Sequence, residues 1–193
     1  MILRSDRVTQ RARLAWAVVN RVPRAGVSAL GCLLAAAVIV VAIPVPHAAA
    51  PAAVSYRSDL ASLVRLAPYP AVAPAGLPGS WVPVSSGLAV GGANGAGTVT
   101  WSLGYMTAGG SLASLEETNA SPAGFIRRMT NSGTAIGAAR LAGRTWTLVS
   151  TPSRGQRSLY CTGPGGRFTL VVTGNATWTQ LRELAASLRP AVD

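Results

Sequence analysis

The chain has 193 residues and a formal net charge of +11, carried by seventeen arginines against six carboxylates, with no lysine at all. Its one histidine, His47, lies upstream of the segment patterned as a folded domain, so that domain lacks the commonest side-chain bases. Mechanisms that pair a serine or cysteine nucleophile with histidine or lysine are therefore all but excluded, and so is a zinc site, because Cys161 alone makes no ligand cluster.

Residues 1–24 hold six of the arginines against Asp6 and read as a basic cytoplasmic N-terminus. The next nineteen residues, AGVSALGCLLAAAVIVVAI (25–43), carry no charge. That run approaches the ~20 residues needed to cross a hydrocarbon core, and Pro44 and Pro46 end it, so 25–46 is assigned as one transmembrane helix. All nearby arginines precede it, which places the N-terminus in the cytoplasm and the C-terminal domain outside, in the cell envelope. A cleaved signal peptide is the alternative. The long basic region, the length of the apolar run and the prolines around Ala50-Pro51-Ala52 favour an uncleaved anchor. The apolar run continues past Cys32, which argues against a lipidated cysteine there.

Residues 47–79 read as a Pro/Ala linker holding one short amphipathic helix, in which Leu60, Leu63, Val64 and Ala67 share a face. The four prolines of PYPAVAPAGLPG (68–79) predict no regular structure there. The exported domain is assigned to 80–193. WVPVSSGL, from Trp81, predicts a first strand, with Pro83 confining it to an edge. In TVTWSLGYM (98–106), Val99, Trp101, Leu103 and Tyr105 alternate with small polar residues, the mark of a strand with one covered face. Ala108-Gly109-Gly110 predicts a hairpin turn into SLASLEET. The loop GGANGAG (91–97) resembles a phosphate loop but leads into a strand and not into a helix, so it reads as an entry loop.

Ser121 and Pro122 predict the start of a short helix with Phe125, Ile126 and Met129 inward. Strands follow at 144–151, 156–162 and 167–173, with 134–140 as a further candidate. A last helix begins near Trp178, where Thr177 and Gln180 have capping-box spacing. The pattern predicts an α+β domain: a mainly antiparallel sheet of about six strands covered by two or three helices, distantly similar in layout to PsbP-like proteins.

Two carboxylates, Glu116 and Glu117, are adjacent, but neighbours on a strand point to opposite faces and so cannot aim at one substrate. Phase places Glu117 at the end of the covered face and Glu116 on the other face, where an arginine of a neighbouring strand could pair with it. Cys161 shares the phase of Leu159 and reads as a buried small hydrophobe. The domain arginines are scattered, apart from Arg127-Arg128, which argues against nucleic-acid binding. The triplets Asn119-Ala120-Ser121 and Asn175-Ala176-Thr177 match glycosylation acceptors but are better explained as helix starts.

The ordered series LPGSW (77–81), TWSLGYMT (100–107), SLEET (114–118), GRTW (143–146), SLYC (158–161) and VVTGNATWTQLRELAASL (171–188) resembles an uncharacterised actinobacterial family, domain of unknown function 4245. That resemblance implies a single-pass membrane protein with one exported domain, and it supplies no catalytic residues. The function expected is a non-enzymatic binding module of the envelope, without a cofactor or metal. Its partner would be an envelope protein, a lipid or a cell-wall component. Trp81, Trp101, Tyr105, Trp146 and Tyr160 are candidates for its binding surface. Two alternatives are an enzyme using Glu116 with arginine-assisted binding of an anionic substrate, and an anionic-lipid-binding domain.

Overall fold

The computed structural model describes residues 52–91 and 97–191. The basic N-terminus, the apolar segment with Cys32, His47 and the middle of the GGANGAG loop lie outside the described residues. No helix among the described residues is long and apolar enough to cross a membrane. In chain order the elements are α1 (Arg57–Leu66), β1 (Val72–Pro74), β2 (Val82–Gly91), β3 (Thr98–Met106), β4 (Leu112–Thr118), α2 (Pro122–Met129), β5 (Thr134–Leu141), β6 (Arg144–Thr151), β7 (Gln156–Thr162), β8 (Thr169–Gly174), α3 (Trp178–Ser187) and β9 (Leu188–Pro190).

Seven strands form one antiparallel sheet in the order β2-β3-β4-β8-β7-β6-β5, and β1 pairs with β9 in a separate ribbon. The fold is thus α+β, with one strand more in the sheet than the six firm predictions because 134–141 does join it. Pro83 sits where expected, on an edge strand, beside a register shift between Pro83 and Ser85.

Register divides the sheet into two chemically different faces. Leu103, Leu115, Val172, Leu159 and Leu148 are aligned across five strands and all are buried. This apolar face packs against α1, α3 and the β1–β9 ribbon and forms the main core. On the opposite face the aligned row is Ser102, Glu116, Val171, Tyr160 and Thr147. Among the described residues only α2 crosses that face, lying against β8 and β7, with Phe125 buried.

α3 starts with the capping box its sequence signals: Gln180 N donates to Thr177 Oγ1 at 3.3 Å and Thr177 N donates to Gln180 Oε1 at 3.0 Å. α2 begins at Pro122 as expected, but Ser121 makes no side-chain cap bond. Asn119 and Asn175 have structural tasks. Their Oδ1 atoms accept from Val99 N and Leu112 N respectively, each at 2.7 Å, tying loop ends to strand edges.

The expectation that 68–79 lacks regular structure is corrected. Val72–Pro74 forms β1, and Tyr69, Ala71 and Val72 are core residues. Proline bars helix interiors and central strands, but a two-stranded ribbon leaves positions that need no N–H. Here Ala75 N donates to Ser187 O and Ala191 N to Ala71 O on either side of the paired residues. Leu63 of α1 is also fully buried, so the packed unit begins upstream of residue 80 and the supposed linker contributes to its core.

Gly174, paired with Ala113 at the end of β8, has φ of 155°, and a Cβ there would lie 2.0 Å from Leu112 O. No side chain can flex to relieve a clash with backbone. Gly174→Ala should therefore destabilise the domain by about 2–4 kcal/mol in urea or thermal unfolding, and an unchanged midpoint would show that β4 and β8 can part at this end.

Candidate functional site

Four of the five aromatics expected on a binding surface are in the core. Trp81 is 7% exposed, Trp101 0%, Tyr105 4% and Trp146 0%. Their strand phase, which suggested a covered face, puts them beneath α1, α3 and neighbouring loops. Trp81 packs edge-on to Tyr105 at 6.0 Å, and Trp101 Nε1 donates to Ser86 Oγ at 3.2 Å. Trp146 Nε1 donates to Leu141 O at 3.3 Å. Only Tyr160, on the opposite face, is half-exposed and borders a depression.

The adjacent glutamates do separate onto opposite faces. Glu117 is aligned between Trp101 and Leu170 and is fully buried, so it is a core residue and not the rim residue its phase suggested. What hides it is β1: Val72 N donates to Glu117 Oε2 at 3.3 Å. Its Oε1 and the nearby Tyr69 hydroxyl are buried without a partner among the described residues. Burial pushes the Glu117 carboxyl up to about 8, against smaller opposing effects of the Val72 hydrogen bond and the Arg144 charge. Glu116 is half-buried and finds hydroxyls in place of the expected arginine. Ser102 Oγ donates to its Oε1 at 2.8 Å. Burial raises its carboxyl above the ordinary value, and the Ser102 and Ser114 hydroxyls oppose the rise. Cys161 is 5% exposed, and burial pushes its thiol up to about 11, which keeps it protonated and inert at neutral pH.

Among the described residues, two hollows lie at the C-terminal end of α2, on the flank away from β4. A hollow of about 320 Å³ is bordered by α2 on one side and by β5, β6 and β7 on the other, with Ile126, Ala135, Val149 and Tyr160 among its residues. A second, of about 520 Å³, is lined by Gly124, Arg127, Arg128, Asn131, Ser132 and Arg154. All three of these arginines are exposed, and no carboxylate lines either hollow. Arg128 also stacks over Phe125, 5.3 Å from the ring centroid, which orients its guanidinium.

Gln156 is what fixes this corner. Its Nε2 donates to Met129 O at 2.7 Å and to Thr173 Oγ1 at 2.6 Å, and its Oε1 accepts from Asn131 Nδ2. Thr151 Oγ1 donates to Thr130 O at 2.8 Å. Carbonyls at the end of α2, which lack helical donors, are thus satisfied by the sheet. Immediately beyond, Asn131 and Ser132 have φ of 50° and 55°, a left-handed pair that non-glycine residues adopt at a cost. The Arg127-Arg128 doublet stands out in the sequence, whereas Arg154, Gln156, Asn131 and Ser132 have no motif and meet only through the fold.

A family model described as a protein of unknown function (DUF4245) matches residues 21–188. The chain belongs to the DUF4245 family. No curated protein matches it. Among solved structures, a chain of the Pseudomonas aeruginosa MucA/MucB complex is similar at 13% identity with a TM-score of 0.36. The match covers 63% of this chain and 35% of that one, so this DUF4245 protein spans about a third of its length. A likeness that slight bears on neither ligand nor partner.

Glu117 makes stability depend on pH. Its folded value near 8 lies above the ordinary 4.5, so the folded state binds more protons between those values. Stability should then fall as pH rises through that window, by about 3–5 kcal/mol in all, in unfolding curves taken at several pH values. Glu117→Gln should flatten the profile; a profile unchanged by that substitution would assign it to other groups. Separately, Gln156→Leu should cost about 1–3 kcal/mol and speed amide exchange across residues 122–132 while sparing α3.

Proposed function

We propose that this protein is a single-pass, membrane-anchored component of the cell envelope whose exported domain is a non-enzymatic module that binds an anionic partner through the arginine-lined hollow. The observation that carries the reading is the convergence of Arg127, Arg128 and Arg154 on one depression without a carboxylate. Guanidinium groups present rigid forks of donors suited to phosphate and carboxylate oxygens. Among the other arginines, Arg157 donates to Asn175 O and Ala176 O, and Arg189 to Ala186 O and Leu188 O.

The anchored topology rests on the nineteen uncharged residues 25–43, with arginines only upstream. The family match starts at residue 21, so it takes in this apolar segment together with the domain. The alternative of an enzyme using Glu116 needed at least two arginines around that carboxylate. Its hydrogen-bond partner is Ser102, and it lines neither hollow.

Charge alone would attract anions anywhere on so basic a surface, so the test is charge-matched. Replacing Arg127, Arg128 and Arg154 together with glutamine should weaken pyrophosphate binding about ten-fold or more and reduce its salt dependence. Replacing Arg57, Arg65 and Arg182, which are exposed on α1 and α3, removes the same charge and should change affinity by about two-fold at most. Equal losses in the two triple variants, measured by titration calorimetry, would replace the site with diffuse attraction.

A further inference from the structure

The two hollows share a wall. Arg127 and Ser132 line both, so the cationic depression meets, at the C-terminal turn of α2, one of mixed lining in which Thr130 and these two residues stand beside an apolar patch. Away from that wall they diverge in chemistry. Arg128 and Arg154 border one, whereas Ile126, Val149 and Tyr160 border the other.

Building on the anion-binding reading above, we propose that the pair forms one site for a small anionic amphiphile. Its oxyanion head, a phosphate or carboxylate, is held by Arg127, Arg128 and Arg154, and its apolar group lies against Ile126, Val149 and Tyr160. Three features support this ligand class. Charge complementarity is one-sided, since three guanidinium groups face the head and no carboxylate lines the apolar half. The size is also appropriate: about 320 Å³ lies near the lower end of the ~300–1,000 Å³ typical of small-molecule sites, which suits one short chain or ring better than a two-chain lipid.

Preorganisation is the third feature. Val149 is 3% exposed within β6, and Tyr160 is fixed in β7 beside Val171 of β8. The α2 wall is tied to the same strands through Gln156 and Thr151. Floor and wall therefore cost little to order when a ligand arrives. The left-handed pair Asn131-Ser132 lies at the rim, with Ser132 in the shared wall, where strained backbone is held in place by bonds from Ser132 N to Arg127 O and from Asn131 Nδ2 to Gln156.

The experiment is a calorimetric titration of the full chain in phosphatidylcholine nanodiscs with methyl, butyl and hexyl phosphate. Affinity should rise about two- to four-fold per added methylene, as expected for apolar surface leaving water. Ala135→Trp, from the β5 side, and Ala123→Phe, from the α2 side, should each fill the apolar hollow. They should leave methyl phosphate binding unchanged and reduce hexyl phosphate to the same level. A thermal melt of each shows which is folded, and either one carries the test.

Equal affinity for all three phosphates would overturn the amphiphile while leaving the anion reading in place. A chain-length gain that survives filling of the hollow would also overturn it, because the chain would then bind elsewhere. Absence of binding to any of the phosphates would remove both readings. Binding to phosphatidylglycerol vesicles without binding to monomeric hexyl phosphate would overturn it in favour of contact with a membrane surface.

Discussion

Each strand of the seven-stranded sheet sends alternate side chains to opposite faces, and in this protein the two faces differ sharply in chemistry. One presents aligned leucine and valine and is buried under two helices and a ribbon. The other presents serine, threonine, Glu116 and Tyr160, and among the described residues only the eight of α2 cross it. A short helix on a polar face has little apolar surface to bury. Phe125 is its buried residue, and hydrogen bonds from Gln156 and Thr151 hold the end of the helix to the sheet. That mode of attachment leaves the flank of α2 open, and the open flank is where the arginines gather.

The same alternation decides what the carboxylates can do. Glu116 and Glu117 are neighbours in sequence but lie on opposite sides of a sheet, one among hydroxyls and one in the apolar core. Glu117 belongs to folding chemistry: a proton keeps it tolerable beneath β1, and its titration links stability to pH. Glu116 lies across β8 from Tyr160, about 10 Å away at ordinary strand spacing, with α2 against the strands beyond it. Neither glutamate is paired with another carboxyl on its own face among the described residues.

Much of the fold was legible because it rests on local pattern. Clean period-two runs located β3, β6 and β7, and the Thr177–Gln180 spacing located the start of α3. The β1–β9 ribbon was not legible: three residues carry no periodicity, and the prolines around Val72 argued against any strand. That one omission had two consequences. It turned part of the core into a linker, and it left Glu117 at a rim where nothing was seen to cover it. Phase alone could not separate core aromatics from surface ones, since the alternation that marks Trp101 and Tyr105 as facing a cover marks them equally as core. The arginine site lay beyond sequence reading because Arg127 and Arg128 on α2 meet Arg154 only through a turn between β6 and β7, and Gln156 holds that meeting without belonging to any motif.

A surface rich in arginine attracts anions, and the account stands or falls on where they go. The most direct measurement is an NMR titration of the full chain, labelled at arginine side chains, with pyrophosphate at moderate salt. The account predicts saturable shifts of the Nε–H signals of Arg127, Arg128 and Arg154, with Arg57, Arg65 and Arg182 unmoved. Small, uniform, non-saturating shifts across all the arginines, or saturation centred on another group of them, would contradict it.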